Sequence, residues 1–212
     1  MKIIYAIIFA FNCYSLECVR LNRTLLEQWY PNPINYTSID LTKRNINSID
    51  SKTFVDLINL KSLMLSTNAL TSLESNTFID LKNLNYLILF GNYLSYITSS
   101  TFKGLISLKE LSLPYNMLNE IDPNAFDDLV NLEQLEIANN GLLEIGQFFF
   151  KSLTSLILLD LGNNQINKID RLALVGLNNL EYVYLPNNPI SSLQPSYVKQ
   201  LCETNLKCKI FI

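Results

Sequence analysis

One apolar pattern recurs every 24 residues along this chain, and no insertion interrupts it between residues 36 and 201. Positions 1, 4, 6, 11, 14, 19 and 22 of the repeat are apolar in all seven copies. A unit of this size cannot bury its apolar side alone, so the copies must stack and share a continuous core. The period therefore predicts a linear solenoid rather than one globular core. The repeats begin at Tyr36, Leu60, Leu84, Leu108, Leu132, Leu156 and Leu180.

Positions 4 and 6 predict a short strand in each repeat, because apolar residues two apart face the same side of a strand. Stacked strands then form a parallel sheet, with about 4.8 Å between neighbours. At position 9 the chain turns, and its backbone groups lose their sheet partners. An asparagine amide carries donors and an acceptor for those groups, so we expect a ladder of asparagines. Its members are Asn68, Asn92, Asn116, Asn140, Asn164 and Asn188, and Arg44 takes this position in the first repeat.

The pattern resembles a known repeat type. The third repeat reads Leu84-x-x-Leu87-x-Leu89-x-x-Asn92-x-Leu94-x-x-Ile97, followed by Phe102 and Leu105. This motif is similar to the 24-residue, extracellular type of the leucine-rich repeat family, which occurs in Toll-like receptor ectodomains and Slit. The resemblance implies an α/β solenoid shaped like a horseshoe. A curved parallel β-sheet would form its concave face, and irregular or short helical segments its convex face.

The N-terminus is typical of a secretory signal peptide, because Lys2 precedes an unbroken apolar run over residues 3 to 11. That run is too short to span a bilayer, which takes about 20 residues. We expect cleavage after Ser15, which makes residues 1–15 the signal; the alternative is a buried N-terminal strand of a cytosolic protein. No later run is long and apolar enough for a membrane-spanning helix, so we expect a secreted, extracellular product.

Two sequons fit a secreted chain and predict glycosylation at Asn22 and Asn35. Such triplets also arise by chance in an Asn-rich sequence. A solenoid further needs caps over its apolar ends. We expect an N-terminal cap in residues 16–35, where Trp29 and Tyr30 cover the first repeat, seven repeats in residues 36–201, and a C-terminal cap in residues 202–212.

Four cysteines lie in or near these caps. The family resemblance implies a disulfide between Cys202 and Cys208, with two unpaired thiols as the alternative. Cleavage after Ser15 leaves Cys18 free or available to another chain, whereas earlier cleavage allows Cys13 and Cys18 to pair.

Composition excludes several classes of function. The chain has no His, which removes Ser-His-Asp and Cys-His catalysis and all His-ligated zinc sites. Its 16 Lys and Arg against 19 Asp and Glu give a net charge of −3, whereas a nucleic-acid binder needs clustered basic residues. We predict no enzyme activity, no cofactor and no nucleic-acid partner.

Positions 2, 3, 5, 7 and 8 have no core role and are expected to line the concave sheet and its edges. In repeats three and four they gather the large apolar residues that anchor protein interfaces. These residues are Tyr86, Ile88, Phe90 and Tyr115. In repeats five to seven the same positions hold no Lys or Arg and form an acidic patch. That patch consists of Glu133, Glu136, Asp160 and Glu181, with Tyr182 and Tyr184 beside them.

Glu136 and Asp160 hold the same position of adjacent strands, about 5 Å apart between Cα atoms, where like charges repel. A partner Lys or Arg, or a bound Ca²⁺, would relieve this repulsion. The alternative for both patches is a solvated face whose charges only keep the protein soluble.

These features predict a secreted binding module that recognises a protein partner on its concave face. The alternatives are an extracellular matrix component and the truncated ectodomain of a cell-surface receptor. An enzyme that uses Glu136 and Asp160 as a carboxylate pair is disfavoured, because an open sheet offers no pocket. The oligomeric state is left open.

Overall fold

The computed structural model describes residues 18–190, 201, 205 and 207–212. The N-terminal cap contains strand β1 (Val19–Leu21), helix α1 (Arg23–Trp29) and a 3-10 turn (Pro33–Asn35). Asn22 begins the helix, because its Oδ1 accepts a hydrogen bond from the Leu25 N–H at 2.9 Å. The expected signal, residues 1–15, and two of the cysteines, Cys13 and Cys202, lie outside the described residues.

An eight-stranded parallel sheet runs the length of the described chain. Position 4 of each repeat is buried beneath it, while positions 3 and 5 point to the other side. Neighbouring strands of the repeats pair with an offset of 24 residues, as in Ser62 with Tyr86. The strands are β2 (Ser38–Asp40), β4 (Ser62–Met64), β5 (Tyr86–Ile88), β7 (Glu110–Ser112), β9 (Gln134–Glu136), β11 (Leu158–Asp160), β13 (Tyr182–Tyr184) and β14 (Lys209–Phe211).

Shorter parallel pairs form around position 14 of the repeats. Strand β3 (Ile46–Ile49) pairs with β1, β6 (Tyr96–Ile97) pairs with β8 (Glu120–Ile121), and β10 (Glu144–Ile145) pairs with β12 (Lys168–Ile169). The segments between these pairs and the next sheet strand are turns, and the one α-helix in the described residues is α1. The structure is therefore the expected parallel solenoid, with irregular rather than helical convex segments.

The core is a continuous row of apolar side chains between the sheet and the convex turns. Phenylalanines at position 19 stack along it, with ring centroids 6.3 Å apart for Phe102 and Phe126 and 6.1 Å apart for Phe126 and Phe150. Tyr36, at position 1 of the first repeat, departs from the pattern. It is 36% exposed and packs edge-on against Tyr30, because the cap and not another repeat lies beside it.

The asparagines at position 9 bond to the backbone of two repeats. The Asn116 Nδ2 donates to the Leu113 carbonyl of its own repeat at 2.9 Å and to the Leu89 carbonyl of the preceding one at 3.1 Å. Its Oδ1 accepts from the Leu94 N–H at 3.0 Å. Each position-6 carbonyl between two ladder members accepts from both asparagines, so the bonds form an unbroken chain. The same set recurs at Asn68, Asn92, Asn140, Asn164 and Asn188.

A second set of asparagines, at position 24, lies outside the core. Each donates one hydrogen bond to the carbonyl 25 residues earlier and so ties neighbouring convex turns together. These residues are Asn59, Asn83, Asn131 and Asn179.

The N-terminal edge of the sheet is closed by Tyr30. Its hydroxyl donates to the Asp40 carbonyl at 2.7 Å and accepts from the Asp40 N–H at 3.0 Å, so it satisfies both groups on the outer side of β2. Trp29 packs against the core and carries the Arg44 guanidinium 4.9 Å above its ring. An aromatic cap thus takes the place of an eighth repeat at this end.

The C-terminal edge is β14, which sequence analysis did not assign to the sheet. It pairs Lys209 with Tyr182 and Phe211 with Tyr184, an offset of 27 residues instead of 24. Cys18 and Cys208 are both disulfide-bonded, so the alternatives of a free Cys18 and of an unpaired thiol at Cys208 are wrong. The pairing of Cys202 with Cys208 stays a prediction.

We predict that Asn116→Ala lowers the free energy of unfolding by about 2–4 kcal/mol, because the buried Leu94 N–H loses its partner and both carbonyls lose one donor. Asn131→Ala removes one exposed bond and should cost less than about 1 kcal/mol. Urea unfolding of both variants measures the difference, and equal losses would contradict the assigned role of the ladder.

Candidate binding surface

Four large apolar residues of repeats three and four occupy concave positions, and we call them the aromatic platform (Tyr86, Ile88, Phe90 and Tyr115). Ile88 is half-buried and the other three are exposed. Tyr86 is 43% exposed, Phe90 40% and Tyr115 56%. The rings of Phe90 and Tyr115 are in contact, with centroids 5.2 Å apart and planes tilted by 59°. The structure therefore brings together Phe90 and Tyr115, which lie 25 positions apart in the chain.

Position 8 has a left-handed backbone in every repeat. Asn139, Asn163 and Asn187 adopt φ values of 54–58° there, and Gly91 adopts 67°. Glycine and asparagine tolerate this conformation, whereas other L-residues lose about 1–2 kcal/mol in it. Lys43, Thr67 and Tyr115 adopt φ values of 57°, 54° and 55° at this position. Of these three, Tyr115 has the largest side chain, and that side chain is largely exposed.

The acidic patch is less uniform than the sequence indicates. Lys109, at position 2 of repeat four, extends to the next repeat and binds the Glu133 carboxylate at 2.9 Å. The pKa of Lys109 is raised by this hydrogen bond and by the charge of Glu133. Glu133 therefore belongs to a surface ion pair. This ion pair is not apparent from repeats five to seven alone, because Lys109 belongs to repeat four.

Glu136 and Asp160 lie in register on β9 and β11, but each carboxylate has its own partner. The Glu136 Oε2 accepts from the Ser112 hydroxyl on β7 at 2.9 Å, on the side away from β11. The Asp160 Oδ1 accepts from the Gly162 N–H at 2.9 Å. Glu136 thus leans toward repeat four.

Glu110 is a further carboxylate whose pKa is affected by Glu136. It was not among the predicted site residues. It lies on β7, half-buried, beside the aromatic platform and in register with Tyr86. Burial raises the pKa of Glu110, and the negative charge of Glu136 raises it further. Glu110 and Tyr86 both hold position 3 of their repeats, and this shared position was the signal in the sequence that the two residues lie side by side on neighbouring strands.

The two tyrosines at the C-terminal end of the acidic patch contact the last strand. The Lys209 Nζ lies 6.0 Å from the centroid of the Tyr182 ring, and Phe211 stacks on Tyr184 with centroids 4.8 Å apart. β14 therefore adds a cation and an aromatic ring where the sequence indicated only acidic and tyrosine residues. Glu181 is half-buried beside them.

The remaining surface features are exposed aliphatic residues, the two sequons and the acidic side chains. Exposed aliphatic residues recur at position 23, as in Ile58 and Ile106, without ring contacts between them. Asn22 caps α1 through its Oδ1, and Asn35 is exposed, so glycosylation of both stays a prediction. Within the described ranges, no three Cys, Asp or Glu side chains gather as a metal site, and no helix there is long and apolar enough to cross a membrane.

Comparisons with known proteins agree with this architecture. A family model described as a BspA type leucine rich repeat region matches residues 71–202 in six copies, and a leucine rich repeat model matches residues 34–94. The comparison with curated proteins found no match.

Two solved structures are similar to the chain. TLR13, in a structure of its complex with ssRNA13, has 30% sequence identity over 80% of this chain, with a TM-score of 0.74. A leucine-rich repeat protein of Leptospira interrogans has 25% identity over 83% of this chain, with a TM-score of 0.62. The chain spans 23% of the first protein and 48% of the second.

We predict that Glu110→Gln raises the melting temperature at pH 7. A carboxyl whose pKa is raised in the folded state destabilises the fold once it ionises, above its unfolded pKa of about 4.3. The neutral amide removes that effect, and at pH 3, where the carboxyl is protonated in both states, the gain should vanish.

The matched control is Glu120→Gln. Glu120 is an exposed residue on β8, outside the eight-stranded sheet, so its substitution should leave the melting temperature unchanged at both pH values. A loss of stability in Glu110→Gln at pH 7 would show that the charged carboxylate is well accommodated, against our account.

Proposed function

Because this chain belongs to the leucine-rich repeat family, we propose that it is a secreted, non-catalytic module that binds a protein partner on the concave face of its sheet. The observation that carries the proposal is the aromatic platform, and above all Tyr115. Its ring is 56% exposed, although its backbone conformation favours asparagine or glycine. Residues with a cost to the fold and a large exposed ring are typical of binding sites.

The geometry of the sheet supports a protein partner. Aromatic side chains bury much area and lose little side-chain entropy on binding. The contact between Phe90 and Tyr115 restricts both rings before a partner arrives, which lowers the entropy lost on association. An open, curved sheet matches an extended protein surface better than it encloses a small molecule.

A nucleic-acid partner is the second candidate, because the structure of TLR13 is of a complex with ssRNA13. Binding of that kind depends on Lys and Arg that neutralise phosphates. Here Glu110 and Glu136 lie one and two strands from Tyr86, and Lys109 is bound to Glu133. The concave positions of repeats five to seven contain no Lys or Arg, so Lys209 of β14 is the one cation beside them among the described residues. These charges oppose a phosphate backbone and favour a protein.

The family and the fold are typical of non-catalytic binding modules. A carboxylate pair remains the most obvious candidate for catalysis in a chain without His. However, Glu136 and Asp160 are engaged with Ser112 and Gly162 on an open surface. This arrangement supports a binding role for the patch.

Secretion rests on the N-terminal signal pattern and on the two sequons. A matrix component and a receptor ectodomain are the alternative roles, and they share the same binding surface. A transmembrane exon downstream in the genomic locus would favour the receptor.

The test is retention of partners by the immobilised full-length protein, from extracts and culture medium of the organism's own cells. We expect Tyr86→Ala/Phe90→Ala to lose partners that the wild type retains, because these exposed rings supply the contact area. The matched control is Ile58→Ala/Ile106→Ala, which removes exposed apolar side chains at position 23 and should retain them.

Circular dichroism must show that both variants fold. If the concave variant retains every partner of the wild type, the binding surface lies elsewhere and the proposal is wrong, whatever the position-23 variant does.

A further inference from the structure

We infer that the partner presents an extended segment with an apolar side chain on the aromatic platform and a Lys or Arg side chain against Glu110 and Glu136. This inference rests on the proposed function, since it specifies the chemistry of the partner at the same face. The segment runs across the strands, with its basic residue toward the C-terminal repeats.

The platform determines where the apolar residue binds. Tyr86 and Ile88 lie on β5, and the contacting rings of Phe90 and Tyr115 follow at the ends of β5 and β7. Tyr86, Phe90 and Tyr115 are exposed, and they offer apolar surface on and just beyond these two strands. An aliphatic or aromatic side chain bound there removes this surface from water, at about 25 cal/mol per Å² of apolar area.

The charges beside the platform determine what flanks that residue. Glu110 is in direct register with Tyr86, one strand away, and Glu136 lies on the following strand, β9. The neighbouring cation, Lys109, is bound to Glu133. Glu136 accepts only from the neutral hydroxyl of Ser112 among its hydrogen bonds to described residues. Among the described residues no ion pair involves Glu110 or Glu136, so both carboxylates can accept a partner's cation.

The electrostatics of Glu110 agree with this assignment. Its pKa is raised by burial and by the charge of Glu136. A partner cation would supply the missing countercharge to both carboxylates, and charge complementarity of this kind steers association and fixes register.

The opposite end of the concave face determines the orientation. In repeats one and two the corresponding surface carries exposed Lys43 and Lys61, with Arg44 beside them, against the single carboxylate of Asp40. A basic segment placed over these repeats would meet like charges. The basic residue of the partner therefore lies on the side of repeats four and five.

The strand spacing sets the distance between the two partner residues. Glu110 lies one strand from Tyr86 and Glu136 two strands from it, which is about 5–10 Å across the sheet. An extended peptide advances about 3.3 Å per residue. The apolar and basic residues of the partner should therefore lie two or three positions apart.

The experiment uses a displayed library of random twelve-residue peptides, selected on the immobilised full-length protein. We expect the enriched peptides to share an apolar residue with Lys or Arg two or three positions away. Their affinity should fall about tenfold or more on Tyr115→Ala and on Glu110→Gln/Glu136→Gln. The control Glu120→Gln/Glu144→Gln removes two exposed carboxylates from the outer strands and should leave the affinity unchanged.

Three results would overturn the inference, and they differ in what they imply for the proposed function. Peptides that lose affinity on Tyr115→Ala but carry no basic residue and ignore the glutamate variant overturn the inference and leave the proposed function intact. Selection that is insensitive to both variants, or no enrichment, overturns both. Salt-dependent binding of a single-stranded RNA oligonucleotide that is lost on Tyr115→Ala would assign this face to nucleic acid instead.

Discussion

The asparagine ladder at position 9 is the interaction on which the rest of the structure depends. Each buried amide bonds to the backbone of its own repeat and of the one before it, and consecutive amides share the carbonyls between them. The turn after each strand is therefore the same in every repeat. The residue just before the asparagine must adopt a left-handed backbone, whatever its side chain, as Thr67 and Tyr115 do. The ladder thus fixes both the stacking of the core and the direction in which position 8 projects.

This rigidity separates stability from recognition. The apolar positions are filled almost uniformly, while positions on the concave side vary freely and contact their neighbours across 24 residues. Lys109 with Glu133 and Ser112 with Glu136 are such contacts. Surface pairs of this type contribute little to stability, about 0–1 kcal/mol each. Here Lys109 neutralises Glu133 at the edge of the acidic patch, whereas the neutral hydroxyl of Ser112 leaves the charge of Glu136 uncompensated.

The fold class could be predicted from the sequence because a 24-residue period leaves few ways to bury seven apolar columns. The sheet strands of the repeats cover positions 3 to 5, so they contain position 4 as expected but end just before position 6. Phe90 contacts Tyr115, as expected from their concave positions. Features outside the period could not be found this way. β14 pairs with an offset of 27, Tyr30 closes the sheet edge with its hydroxyl, and neither belongs to a repeat. The hydrogen-bond partner of Glu136 depends on its side-chain rotamer, which the amino-acid sequence does not specify.

The central claim is that Tyr115 is kept for binding at a cost to the fold. The most direct measurement compares Tyr115→Asn with Thr67→Asn by urea unfolding and by partner retention. Thr67→Asn should raise the free energy of unfolding by about 1 kcal/mol and keep the partner, since it relieves the same backbone conformation outside the platform. Tyr115→Asn should remain at least as stable as the wild type and lose the partner. A loss of more than about 2 kcal/mol in Tyr115→Asn, or full retention of the partner, would contradict the claim, because the ring would then be structural or irrelevant to binding.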